Sequence, residues 1–120
     1  FETLLTQSDI ISIHAPLNEH TEGLINSKAF EKMKSSCIFL NLGRGPIVDE
    51  QALYNALVRN QIAAAGLDVL CKEPMSADNP LLKIKDSKRL LITPHIAWAS
   101  VEARTHLMEI IHGQVKDFFA

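Results

Sequence analysis

The chain has 120 residues, 47% of them hydrophobic and 22% charged, with a formal net charge of -2. That length suits one domain with a core of its own and is too short for two. The balance excludes disordered, collagen-like and disulfide-scaffold classes, and it offers no electrostatic footprint for nucleic acid or an anionic membrane surface. No apolar run approaches the roughly 20 residues that span a bilayer. Cys37 and Cys71 lie far apart and form no CxxC pair, so reduced thiols and a cytoplasmic location are expected. The opening Phe1-Glu2-Thr3 has neither an initiator Met nor a signal-peptide pattern, and is expected to lie inside a longer protein.

The first apolar run, Ile10 to Ala15, reads as a strand. Ser27 to Met33 follows as a short helix entered through Asn26 or Ser27, and Cys37 to Leu42 as a second strand. Asp49 to Arg59 is predicted to be a helix with Asp49 as its cap and Ala52, Leu53, Ala56 and Leu57 on one face. Ala64 to Leu70 and Leu90 to Thr93 complete the strands. Between them, Cys71 to Lys88 is irregular and carries Pro74 and Pro80; so long a connection in a compact domain is usually functional. The last helix runs from Ser100 toward Phe119, with Leu107, Ile111, Val115 and Phe119 spaced by four and Met108 and Phe118 beside them. The four strand runs are continuously apolar, which predicts burial on both faces. Their alternation with helices predicts an α/β fold, a parallel sheet with helical crossovers.

In an open parallel sheet, ligands bind beyond the carboxyl ends of the strands. The polar residues there are His14-Ala15-Pro16 after the first run, Gly43-Arg44-Gly45 after the second, Glu73-Pro74 after the third, and Pro94-His95 around the fourth. One rim would therefore gather Arg44, Glu73 and His95. The planar guanidinium of Arg44 can hold a carboxylate through two parallel bonds, with Gly43 and Gly45 permitting close approach. His95 can give a proton to a carbonyl oxygen and take it back. Glu73, bonded to the imidazole, would orient it. Each has a plainer reading by itself: a solvated surface arginine, a turn residue before proline, a histidine bonded to backbone. Asp68, inside an apolar run, needs partners for its charge; it is either a capped structural aspartate or an acceptor for a ligand amide. His14, His20, His106 and His112 show no ligand spacing, and no metal is expected.

At these residues the sequence resembles the D-2-hydroxyacid dehydrogenases. The resemblance rests on Asn41-Leu42-Gly43-Arg44-Gly45-Pro46-Ile47-Val48-Asp49-Glu50-Gln51-Ala52-Leu53, on Gly66-Leu67-Asp68-Val69-Leu70 with Glu73-Pro74, and on Thr93-Pro94-His95-Ile96-Ala97. Ser8-Asp9-Ile10 to Pro16 and Thr21-Glu22-Gly23-Leu24-Ile25 extend it, so that it covers nearly the whole chain in order. The likeness implies a partial Rossmann-type sheet with flanking helices, corresponding to the C-terminal part of an NAD(P)-binding domain over residues 1–120. It implies Arg44 as the substrate-carboxylate residue, His95 as the acid/base and Glu73 as its partner. Asp68 is expected at the nicotinamide carboxamide, with Ala15, Pro16, Leu42, Gly43, Arg44 and His95 lining the cofactor, NAD or NADP. The substrate would be a small 2-oxo or 2-hydroxy acid. His95-Ile96-Ala97-Trp98 is most similar to glycerate dehydrogenases, also called hydroxypyruvate reductases; Trp98 is otherwise a packing or interface residue.

No G-x-G-x-x-G turn, which would hold the pyrophosphate, occurs in the sequence. The first strands, the substrate domain and the dimer arm of the family are expected to lie elsewhere in a full-length homodimer. The chain by itself is expected to be inactive and, with one sheet edge uncovered, to self-associate. A non-enzymatic NAD-sensing regulator, like the corepressors built on this fold, is the alternative the sequence leaves open.

Overall fold

The computed structural model describes residues 1–120. Strands β1 (Ile10–Ile13), β2 (Ile38–Asn41), β3 (Ala64–Leu67) and β4 (Leu90–Ile92) form one parallel sheet in the order β1-β2-β3-β4. Around it are helices α1 (Glu2–Gln7), α2 (Ser27–Lys32), α3 (Glu50–Val58) and α4 (Val101–Phe119), with 3₁₀ turns at Gly45–Ile47 and Pro80–Lys83. The strands end one to three residues earlier than their apolar runs, because the chain leaves the ladder at the rim to form the loops of the site. Helix α1, only six residues with one buried side chain, has no readable periodicity and was not anticipated.

Parallel neighbours in sequence order need crossovers of one hand, and each steps the chain the same way. Helices α2 and α3 therefore lie side by side on one face of the sheet. There Ile11, Phe39 and Ala65 sit in register across three strands, all at 4% exposure or less. Phe30 of α2 meets Phe39 edge-on, ring centres 5.4 Å apart, and Leu53, Ala56 and Leu57 of α3 complete the layer. The other face is bare: Ile10, Ile38 and Leu91 are 62%, 40% and 61% exposed. Burial on both faces, expected from the continuous apolar runs, is thus corrected. Strand composition records what a face can bury, while the crossovers decide which face these residues cover.

The helix ends follow capping chemistry. Asn26 caps α2, accepting from the backbone of Lys28 and Ala29, and Asp49 caps α3 through Ala52 at 2.9 Å. At the other end of α3, Asn60 takes the left-handed conformation (φ 56°), and Arg89 donates to the Leu57 carbonyl at 2.6 Å. That carbonyl is one of the last-turn acceptors a helix leaves open, so the start of β4 is tied to the end of α3. Ser100 caps α4, but no residue of α4 is buried, and Leu107, Met108, Val115 and Phe118 are more than half exposed. The helix projects from the body, whose extents with it are 58 × 34 × 26 Å. No helix is long and apolar enough to cross a membrane.

Candidate active site

All four strands point the same way, so the loops that follow them share one rim. The loop after β2 is shaped by Asn41, the last residue of that strand and 1% exposed. Its carboxamide oxygen accepts from the Gly43 N–H at 3.1 Å, and its nitrogen donates to the Arg44 carbonyl at 3.0 Å. This loop is pressed against the next one. A Cβ on Gly45 would lie 2.0 Å from the Leu70 carbonyl, a contact no side chain can make, which is why glycine is required there. The residues beyond β3 are held in turn by Glu50, which accepts from Cys71 N–H at 2.8 Å and from the Asn79 side chain at 2.7 Å.

On that scaffold Glu73 and His95 meet. Glu73 Oε1 accepts from the Leu70 N–H at 2.9 Å, and Oε2 lies 2.8 Å from His95 Nδ1. The Leu70 N–H, and next the His95 bond, hold the Glu73 carboxyl below the usual glutamate range. An ionised carboxylate only accepts, so Nδ1 carries the proton. Nε2 has no partner in the protein. His95 itself has φ 56°, a conformation that costs a non-glycine residue about 1–3 kcal/mol and persists only where the surroundings over-determine it.

Asp68, 3% exposed, supplies much of that restraint. Its Oδ1 accepts from the Thr93 hydroxyl at 2.5 Å and the Ile96 N–H at 2.9 Å, and its Oδ2 from the Ala97 N–H at 2.8 Å. Burial pushes its carboxyl up, but the bonds from Thr93, Ala97 and Ile96 outweigh burial and leave it below the usual aspartate range. These contacts supply the partners that a charge in apolar surroundings needs. The Asp68 side chain also borders the cavity. Trp98 donates its indole N–H to the His95 carbonyl at 2.8 Å while 61% exposed, so it is neither buried packing nor solvent-bonded.

Two cavities open on the rim. One, of about 670 Å³, is bordered by Asp68, Leu70, Glu73, Met75, Ile92 and His95. The other, of about 450 Å³, is bordered by Ala15, Pro16, Leu42, Gly43 and Arg44, with His14. Both are of ligand size. The imidazole and its glutamate thus share a cavity, and Arg44 lies in the second, its guanidinium donating to the Gly43 carbonyl at 2.9 Å. His14 is paired with Ser12 at 2.8 Å. Glu50, Asn41 and Thr93 were not singled out from the sequence. A polar residue inside an apolar run, as Asn41 is, is the signal that could have found one of them. Burial pushes the Cys71 thiol up to about 11, with Glu50 adding to it, and burial raises Cys37 too, so neither is a thiolate nucleophile near neutrality.

The first cavity combines apolar walls with two carboxylates and an imidazole whose Nε2 has no protein partner. Over residues 1–97 the sequence matches the family described as D-isomer specific 2-hydroxyacid dehydrogenase, NAD binding domain. The chain belongs to this family. It is 47% identical to a hydroxypyruvate reductase of Blautia hydrogenotrophica over 117 residues, 98% of this chain and 35% of that protein. Over 119 residues, 99% of this chain and 38% of the relative, it is 44% identical to a glycerate dehydrogenase of Methylorubrum extorquens. Among solved structures it resembles an acyclic imino acid reductase in complex with NADPH and D-Arg. The TM-score there is 0.85 at 36% identity, covering 98% of this chain and 36% of that one. The chain spans little more than a third of the length of these relatives. The Rossmann-type parallel sheet implied by the resemblance agrees with both the topology and that likeness.

Proposed function

We propose that this dehydrogenase-family chain carries the acid/base and substrate-carboxylate residues of an oxidoreductase acting on a small 2-oxo acid and its D-2-hydroxy acid. Hydroxypyruvate and D-glycerate are the pair favoured by its relatives' names. The observation that carries this reading is the His95 Nδ1–Glu73 contact of 2.8 Å at a cavity of ligand size, with Nε2 unpartnered. A nicotinamide dinucleotide, NAD or NADP, would supply or accept the hydride when bound. Asp68 and His95 would border its nicotinamide end, and Ala15, Pro16, Leu42, Gly43 and Arg44 the space beside it.

The protein's own part is protonic and electrostatic. Nε2 of His95 gives a proton to the carbonyl oxygen as the alcohol forms, and recovers it in the oxidative direction. Glu73, kept ionised by the Leu70 N–H, fixes which ring nitrogen carries that duty. Arg44 would leave the Gly43 carbonyl to hold the substrate carboxylate through its planar fork. A cytoplasmic location, with which two unpaired cysteines agree, and assembly as a homodimer belong to the same proposal.

The test is NADH or NADPH oxidation with hydroxypyruvate and glyoxylate by the full-length protein. His95→Ala is expected to lower kcat by about 10²–10⁴-fold with little change in cofactor Kd. Arg44→Lys is expected to raise KM for the 2-oxo acid, because a point charge cannot replace the fork. Unchanged turnover in His95→Ala would overturn the reading.

A further inference from the structure

The turn that carries His95 is anchored from few directions. Within it, His95 N–H donates to the Thr93 carbonyl, Ala99 N–H to Ile96, and Trp98 to His95; these bonds shape the turn without tying it to the sheet. On the far side, no residue of α4 is buried, so that helix adds little restraint. The ties to the sheet are the Thr93 N–H donating to the Leu67 carbonyl at 2.9 Å and the three bonds that Asp68 accepts. Those three donors, on Thr93, Ile96 and Ala97, bracket residue 95 before and after.

We propose that Asp68 is the positioning residue for His95: its carboxylate, accepting from both flanks of the left-handed residue, holds the imidazole against Glu73. This rests on the dehydrogenase reading and adds a role for Asp68 that precedes any contact with a ligand amide. Both oxygens already accept from the protein, three bonds in all, so the carboxylate is held to the turn before any ligand arrives. The geometry also demands the ionised carboxylate. In asparagine one oxygen becomes an NH₂, which in either orientation would face a backbone N–H, that of Ile96 or of Ala97, donor against donor. The depressed Asp68 carboxyl agrees with that demand.

The experiment uses full-length protein without cofactor, its histidines labelled with ¹⁵N, and follows the Nδ1-bound proton of His95. The resonance is assigned by its absence in His95→Gln. In Asp68→Asn the protein is expected to keep its cooperative melt but lose this protected proton. Its kcat is expected to fall about 10²-fold, the scale of a misplaced catalytic group, with a smaller change in NADH Kd. Retention of the Nδ1 proton together with a weakened NADH Kd would overturn the proposal and leave Asp68 a ligand contact only. Thr93→Val removes one donor while keeping side-chain shape, and decides the matter should Asp68→Asn not fold. It is expected to weaken the same resonance and Thr93→Ser to restore it; an unaltered signal in Thr93→Val overturns the proposal. The dehydrogenase reading fails separately, through turnover that survives His95→Ala whatever the resonance does.

Discussion

Helices α3 and α4 carry the same kind of sequence pattern and meet opposite fates. Over nine residues α3 buries Ala52, Leu53, Ala56 and Leu57; over nineteen, α4 buries nothing. Both are capped by the residue type that capping calls for, Asp49 in one and Ser100 in the other. What separates them is the topology around them. The crossover from β2 to β3 lays α3 onto the sheet, and Arg89 then fastens its last turn to the start of β4. Helix α4 follows β4, and none of its residues is buried against the sheet or its neighbours. An apolar stripe therefore measures capacity for burial, and the connections decide whether that capacity is used.

The largest effect expected from this contrast is in the buried helix. Leu53 is fully buried in the core that also holds Leu57 and Ile62. Leu53→Ala removes that packing and leaves a cavity, and is expected to cost about 2–5 kcal/mol, read from the midpoint of urea unfolding at constant m. A cost below about 1 kcal/mol would mean that the layer over the sheet collapses freely, and that α3 is no better held than α4.

Much of the site was legible because its chemistry sits at strand ends, which apolar runs mark clearly. Arg44, Glu73 and His95 were expected on one rim from the order of runs alone; Glu73 and His95 meet there, and Arg44 borders the second cavity. The cap at Asp49 and the alternation of strands with helices were readable for similar local reasons. What was not legible depends on partners far apart in the chain. Glu50 reaches Cys71 and Asn79 across 21 and 29 residues, and Asp68 reaches Ala97 across 29. No periodicity encodes such bonds. The bare face of the sheet was also missed, because Ile10, Ile38 and Leu91 have the composition of buried strand residues.

A second, intermediate effect lies at the junction between the packed body and the projecting helix, and it depends on pH. The folded-state pKa of Asp68 is depressed below its ordinary 3.8, since donors on Thr93, Ala97 and Ile96 outweigh the burial that would raise it. A depressed carboxyl contributes stability that is present above the unfolded pKa and lost as pH falls through the folded one. Glu73, lowered from 4.5 first by the Leu70 N–H and then by His95, acts in the same direction, with less effect because it is partly exposed. The urea midpoint is therefore expected to fall as the solution is taken below about pH 4. In Asp68→Asn the midpoint is expected to be lower at neutral pH and its acid decline shallower. An acid decline as steep in the variant as in the parent would show that the turn is not held by this carboxylate.

The smallest effect is expected where the pattern promises most. Leu107 begins the regular apolar stripe of α4, yet it is 53% exposed. Its truncation to alanine removes little buried surface, and alanine is the better helix former, so Leu107→Ala in the 120-residue chain is expected to shift stability by no more than about 0.5 kcal/mol. Leu53→Ala and Leu107→Ala delete the same atoms from two helices of similar amphipathic character, so the difference between them isolates packing from composition. A loss at Leu107 approaching that at Leu53 would mean that the face of α4 is covered in the molecule as measured. Repeating the measurement over a range of protein concentrations would then identify the cover. A stability that rises with concentration assigns it to a second copy, and one that stays constant assigns it to α4 folding back onto its own chain.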